Sequence, residues 1–97
     1  MTYDEMIKES PLTLVEFFAT WCPHCQRMAP IMDQLKELVA GQAAIIQLDV
    51  DQNPTLVQEL QISGTPTFII YRDGEEVWRQ SGEIDGNDLL AQLQAQM

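Results

Sequence analysis

Val15-Glu16-Phe17-Phe18-Ala19-Thr20-Trp21-Cys22-Pro23-His24-Cys25 carries a nearly continuous apolar run into the only two cysteines of the chain. The run begins at Leu12, and Leu12 to Ala19, rich in Phe and Val, reads as a strand buried on both faces of a sheet, with Glu16 as its one charged residue. Downstream, Met28, Ile31, Met32, Leu35, Leu38 and Val39 recur at the spacing of one helical face. A long helix is therefore expected, with Pro23 in its first turn, a kink at Pro30 and an end near Gly41. Ala44 to Val50 reads as a second buried strand. Strand, helix and strand on short links make a right-handed parallel crossover the economical topology, and it places Cys22 where the first strand gives way to the helix.

Outward from this unit, Thr2-Tyr3-Asp4-Glu5 has the pattern of a capping box, opening a short helix that should end at Ser10-Pro11. Asn53-Pro54 matches an N-cap followed by proline, starting a helix through Leu60. Thr67 to Tyr71 is a third strand, and Asp73-Gly74 is a tight turn into a fourth through Val77 and Trp78. Asp85 can cap a closing helix whose apolar face is Leu89, Leu90, Leu93 and Met97. Met6, Met28 and Met32 fit apolar helix faces as gap-fillers. The expected architecture is α/β, a four-stranded mixed sheet with helices on both faces.

The 97 residues, 45% hydrophobic, suffice for one compact core and are too few for two ordinary domains, so residues 1–97 are read as a single domain. With 15 acidic against 5 basic residues the formal charge is -10, which argues against nucleic acid as a partner and for a well-solvated surface. No apolar run approaches bilayer-spanning length, so no membrane association is expected. Met1 to Lys8 lacks the basic start and apolar stretch of a signal peptide, which makes the cytoplasm the expected address.

A bridge between Cys22 and Cys25 would close so short a loop that the chain-entropy model credits it with only about 2 kcal/mol. A pair that cycles is a better use of these sulfurs than a pair that stays closed, above all in a reducing compartment. At a helix start, unpaired N–H groups and the helix dipole favour a Cys22 thiolate, the nucleophilic form in disulfide exchange. Cys25, one turn on and on the same face, can attack a mixed disulfide formed at Cys22. His24, when protonated, could add positive charge beside the thiolate and favour the reduced form. The competing reading, half of a zinc site, requires a second ligand pair that this chain does not offer, so no metal is expected.

Together with Ala29-Pro30, Leu48-Asp49-Val50-Asp51-Gln52-Asn53-Pro54, Gly64-Thr65-Pro66-Thr67 and Asp73-Gly74, the opening stretch resembles the thioredoxin family in order and spacing, over nearly the whole chain and with the family's first strand missing. The resemblance implies a thioredoxin fold and a redox-active Cys22–Cys25 disulfide with no bound cofactor. It makes Cys22 the nucleophile, Cys25 the resolving cysteine and Glu16 a buried acid that takes the Cys25 proton. A carboxyl in an apolar strand should have a raised pKa suited to that task, unless Glu16 points outward as an edge charge. Client-binding roles fall to Trp21, Pro23, Thr65, Pro66 and Gly82: Pro66 as the family's cis-proline, Thr65 offering backbone to an extended client segment, and Gly82 leaving room in the groove.

Two departures bear on the direction of the chemistry. The family's acid is usually Asp, and the lysine that pairs with it is replaced by Gln47. The Pro23-His24 dipeptide resembles that of strongly oxidising periplasmic dithiol oxidases rather than the usual Gly-Pro. Three functions are therefore carried forward: a protein-disulfide reductase, a more oxidising oxidase or isomerase, and a binding module whose dithiol is incidental. The implied partners are disulfide-containing client proteins and a thioredoxin reductase as electron donor, the chain itself being a monomer.

Overall fold

A computed structural model describes residues 1–97. The chain runs α1 (Tyr3–Met6), β1 (Leu12–Phe18), α2 (Pro23–Leu38), β2 (Ala44–Asp49), a 3₁₀ turn (Val50–Gln52), α3 (Pro54–Glu59), β3 (Thr67–Arg72), β4 (Glu75–Ser81) and α4 (Gly86–Gln94). The four strands lie in the order β2-β1-β3-β4. β1 pairs parallel with β2 through the α2 crossover and antiparallel with β3, and β3 pairs antiparallel with β4. Asp73 and Gly74 both take positive φ, 52° and 83°, which is the backbone a two-residue hairpin turn demands.

Alternation along β1 and β3 divides the interior into two layers. Leu12, Leu14, Phe68 and Ile70 meet Met28, Met32, Leu35 and Val39 of the α2 region and Leu89 and Leu93 of α4. On the other face Val15, Phe17, Ile69 and Tyr71 gather Ile7 and, more loosely, Tyr3 of α1, Leu56 of α3 and Leu60 just beyond it. Tyr3 donates its hydroxyl to that of Tyr71 at 2.8 Å, tying α1 to the sheet. Glu16 shares the parity of Leu12 and Leu14, so it points to the α2 side, the side that carries the cysteines.

Several expectations are corrected. The first helix has its capping box at Thr2 and Glu5 but ends at Met6, with Ile7 entering the core and the following residues turning so that the Pro11 carbonyl accepts from Asp73 N–H. β2 is half-buried along its length rather than buried on both faces, because it is an edge strand. Val50 has left the strand for the 3₁₀ turn. Leu38 is exposed because it lies roughly 80° round the helix from Met28 at about 100° per residue. α2 ends at Leu38, before Gly41; Pro30 lies inside it, and the Gln26 carbonyl, which loses its donor there, belongs to an exposed residue. Asn53 flanks α3 without a side-chain cap because its amide donates to the Asp49 carbonyl at 2.8 Å. Met97 is exposed, outside the face formed by Leu89 and Leu93. No helix is long and apolar enough to cross a membrane.

Candidate active site

Cys22 is the N-cap of α2, in extended backbone (φ -86°, ψ 118°), with Pro23 at the first helical position. Pro23 lacks the N–H that would go unpaired there and its ring presets the helical φ, so the sequence starts the helix immediately after the cysteine. Cys22 and Cys25 are both free and buried, 4% and 6% exposed, in a small cluster with Ala19 that also touches Phe18 and Val50. The Cys22 thiol lies 3.5 Å from the Thr65 carbonyl. The Thr65–Pro66 bond that delivers this carbonyl is cis, and the loop is tied down by Thr67 Oγ1 donating to Gly64 O at 2.7 Å and by Gly82 N–H donating to Pro66 O at 2.7 Å.

The two thiols are driven apart in acidity. Hydrogen bonding from the Thr65 side chain lowers Cys22 to about 7; burial opposes this, while the backbone and thiol of Cys25 and the backbone N–H of His24 add to it. Burial raises Cys25, the Cys22 thiol adding to the rise while the Ala19 backbone acts against it. The outer sulfur is thus an anion near neutral pH while the inner one holds its proton.

Glu16 is 2% exposed and lies beneath the dithiol, not at an edge. With Cys25, Phe18, Ala29 and Gln47 it lines a recess of about 230 Å³, so carboxyl and inner thiol share one space. Burial raises its pKa, opposed by a hydrogen bond from Gln47 and by the charge of Lys36. Gln47 Nε2 donates to Glu16 Oε1 at 2.9 Å, and Lys36 Nζ donates to Gln47 Oε1 at 2.5 Å. A lysine is therefore present at this acid, reaching it from α2 through the amide.

The His24 imidazole engages a carboxylate. Its Nδ1 sits 2.5 Å from Glu83 Oε1, and Arg27 donates to the same oxygen through Nε at 2.8 Å and through Nη2 at 2.5 Å. The two basic groups hold the Glu83 carboxyl down at about 2, Arg27 being the larger cause. What His24 contributes to the thiolate comes from its backbone N–H.

The expected client-binding residues cluster round the sulfurs. Trp21 is 66% exposed, its indole N–H donating to Asp51 Oδ2 at 2.9 Å, and it flanks a groove of about 240 Å³ shared with Val50, Val57, Ile62 and Thr65. Pro23 is exposed beside it. Gly82 takes φ +94°, and a Cβ there would meet nothing within 4 Å. Its backbone favours glycine, and the space above it is open. Lys36, Arg27 and Glu83 were not singled out from sequence; each bonds across elements, and no local spacing announces such a contact.

A family profile described as thioredoxin matches residues 1–95. Among curated relatives, a thioredoxin-like protein of Synechocystis is 37% identical over 93 residues, covering 95% of this chain and 89% of its own. Thioredoxin Y2, chloroplastic, of Arabidopsis thaliana is 33% identical, covering 96% of this chain, which spans only 56% of the plant protein. Among solved structures, a mutant thioredoxin from Halobacterium salinarum superposes with TM-score 0.88 at 30% identity, covering 96% of this chain and 80% of that one. Fasciola hepatica thioredoxin gives 0.87 at 29%, covering 97% and 90%.

Proposed function

Because this chain belongs to the thioredoxin family and is a thiol-disulfide oxidoreductase, we propose that it works as a protein-disulfide reductase. The observation that carries the reading is the split between the two sulfurs, an acidified Cys22 at the helix start and a protonated Cys25 over a shared recess with Glu16. The Cys22 thiolate attacks a client disulfide, so one client sulfur leaves as a thiolate and a mixed disulfide forms. Glu16 takes the Cys25 proton, and Cys25 attacks Cys22, closing the Cys22–Cys25 disulfide and releasing the second client thiolate. Two electrons pass to the client. Protons from Glu16 and solvent complete its thiols, and a flavin-dependent thioredoxin reductase restores the dithiol. Trp21, Pro23, Thr65, Pro66 and Gly82 seat the client segment.

The engagement of His24 with Glu83 supports the reducing direction, because an imidazole paired with a carboxylate brings little net charge to the thiolate. The Pro23-His24 dipeptide itself favours the second reading, a more oxidising oxidase. The cytoplasm is the proposed address, since a reducing compartment keeps a cycling pair open. Insulin reduction tests the activity: the parent should turn over, Cys22→Ser should not, and Cys25→Ser should accumulate mixed disulfide. Equal inactivity of parent and Cys22→Ser with several electron donors would overturn the enzyme reading. Equilibration with glutathione decides direction, a potential near that of reducing dithiols supporting the reductase and a strongly oxidising one the oxidase.

A further inference from the structure

The Gln47 amide stands between an ammonium and a buried carboxyl, and that position removes its usual ambiguity. An amide can offer either its oxygen or its NH₂ to a neighbour, so a free Gln47 could serve Glu16 as donor or, after a flip, as acceptor from the protonated acid. Lys36 can only donate. Once its Nζ occupies Oε1 at 2.5 Å, the NH₂ is the face left for Glu16, which it meets at 2.9 Å. A donor bonds the carboxylate more strongly than it bonds the carbonyl oxygen of the acid, so this arrangement favours the ionised form of Glu16.

We propose that Lys36, acting through the Gln47 amide, is a positioning residue that locks the donor face of the amide onto Glu16 and so promotes the carboxylate beside Cys25. The groups facing Glu16 are few. α2 contributes Cys25 and Lys36, β2 contributes Gln47, and the β3 neighbour in register is the apolar Phe68. The only influences opposing the burial of Glu16 are the Gln47 hydrogen bond and the Lys36 charge. Lys36 is itself exposed, and charge acting through solvent is screened, so the bonded path through the amide is the more effective one. A lysine in this relay answers for the one that Gln47 displaces, but from a helix and at one remove.

The consequence for the reaction rests on the reading that Glu16 accepts the Cys25 proton, and the two ideas are separable by experiment. The Glu16 carboxyl is titrated by ¹³C NMR in the reduced protein, in parent, Lys36→Met, Lys36→Arg, Gln47→Met and the Lys36→Met/Gln47→Met pair. Lys36→Met should move the Glu16 midpoint upward and Lys36→Arg should return it toward the parent value. In the Gln47→Met background the same Lys36 change should have almost no further effect. An unmoved midpoint in Lys36→Met overturns the proposal, as does an equal upward shift with and without Gln47, which would mean that Lys36 acts through space. The pH profile of mixed-disulfide resolution is read in parallel. If Lys36 positions a working base, the profile moves up with the midpoint. A profile unchanged in both Lys36→Met and Glu16→Gln rejects the role of Glu16 while leaving the titration result to judge Lys36.

Discussion

Thr13 and Glu16, three residues apart on β1, are the two polar side chains of that strand, and the fold treats them differently. Glu16 has its amide; Thr13 is wholly buried and its hydroxyl has no partner. An unsatisfied buried hydroxyl costs about 1 kcal/mol or more, so Thr13→Val should raise stability by about 1 kcal/mol in urea denaturation, and a loss would show that the hydroxyl is in use. For Glu16 the prediction is one of pH. Burial lifts its carboxyl above the ordinary 4.5, so the fold prefers it protonated. That preference stabilises the protein fully below the unfolded value and is lost as pH rises through the raised folded one. Glu16→Gln should therefore melt higher than the parent in mildly alkaline buffer, with the gain fading in acid, while resolving mixed disulfides more slowly. A variant less stable than the parent at alkaline pH would contradict this. At this scale the sequence was informative wherever a residue's chemistry is set by its neighbours along the chain, as for Cys22, Cys25 and Glu16. It was silent where partners are distant: His24 meets Glu83 across 59 positions, and Lys36 meets Gln47 between a helix and a strand.

Among the elements, α4 offers the clearest test of what capping contributes. Asp85 accepts from Asn87 N–H at 2.8 Å and from Asp88 N–H at 3.3 Å, and the helix it starts carries Leu89 and Leu93 into the core. Asp85→Ala should cost about 1 kcal/mol by denaturant titration and leave the pH dependence of Cys22 alkylation, with its midpoint near 7, in place. A shifted alkylation midpoint would show that α4 reaches the site. The elements legible beforehand were those marked by caps, turn residues and long periodic faces, namely α2, α4 and the Asp73-Gly74 hairpin. In β2, Ala-Ile-Ile-Gln-Leu looks buried by composition, whereas its burial is set by its position at the sheet edge, which local pattern does not encode. Leu38 fits the apolar spacing yet is exposed, because a stripe of apolar residues drifts round a helix and only the neighbouring element decides where the stripe ends.

The whole molecule is a small body, with a Cα radius of gyration of 12.4 Å, close to the roughly 12.5 Å expected for a compact chain of this length. Its two edges are unequal. β4 carries Glu75, Glu76 and Arg79, while β2 shows Ala44, Ile45 and Ile46 beside Gln47 and Leu48, with charge only at Asp49. Sheet edges of the second kind invite a neighbour's strand unless something prevents it. The formal charge of -10 supplies that something through repulsion between copies. Light scattering should accordingly show a monodisperse species at neutral pH and modest salt, with association on acidification toward neutrality of charge or at high salt. Association unaffected by either condition would mean that the edge is guarded locally. In colloidal terms, β2 makes shelf life a function of ionic strength: the same backbone that flanks the buried Glu16 carboxyl is the seam along which concentrated stocks would first coagulate.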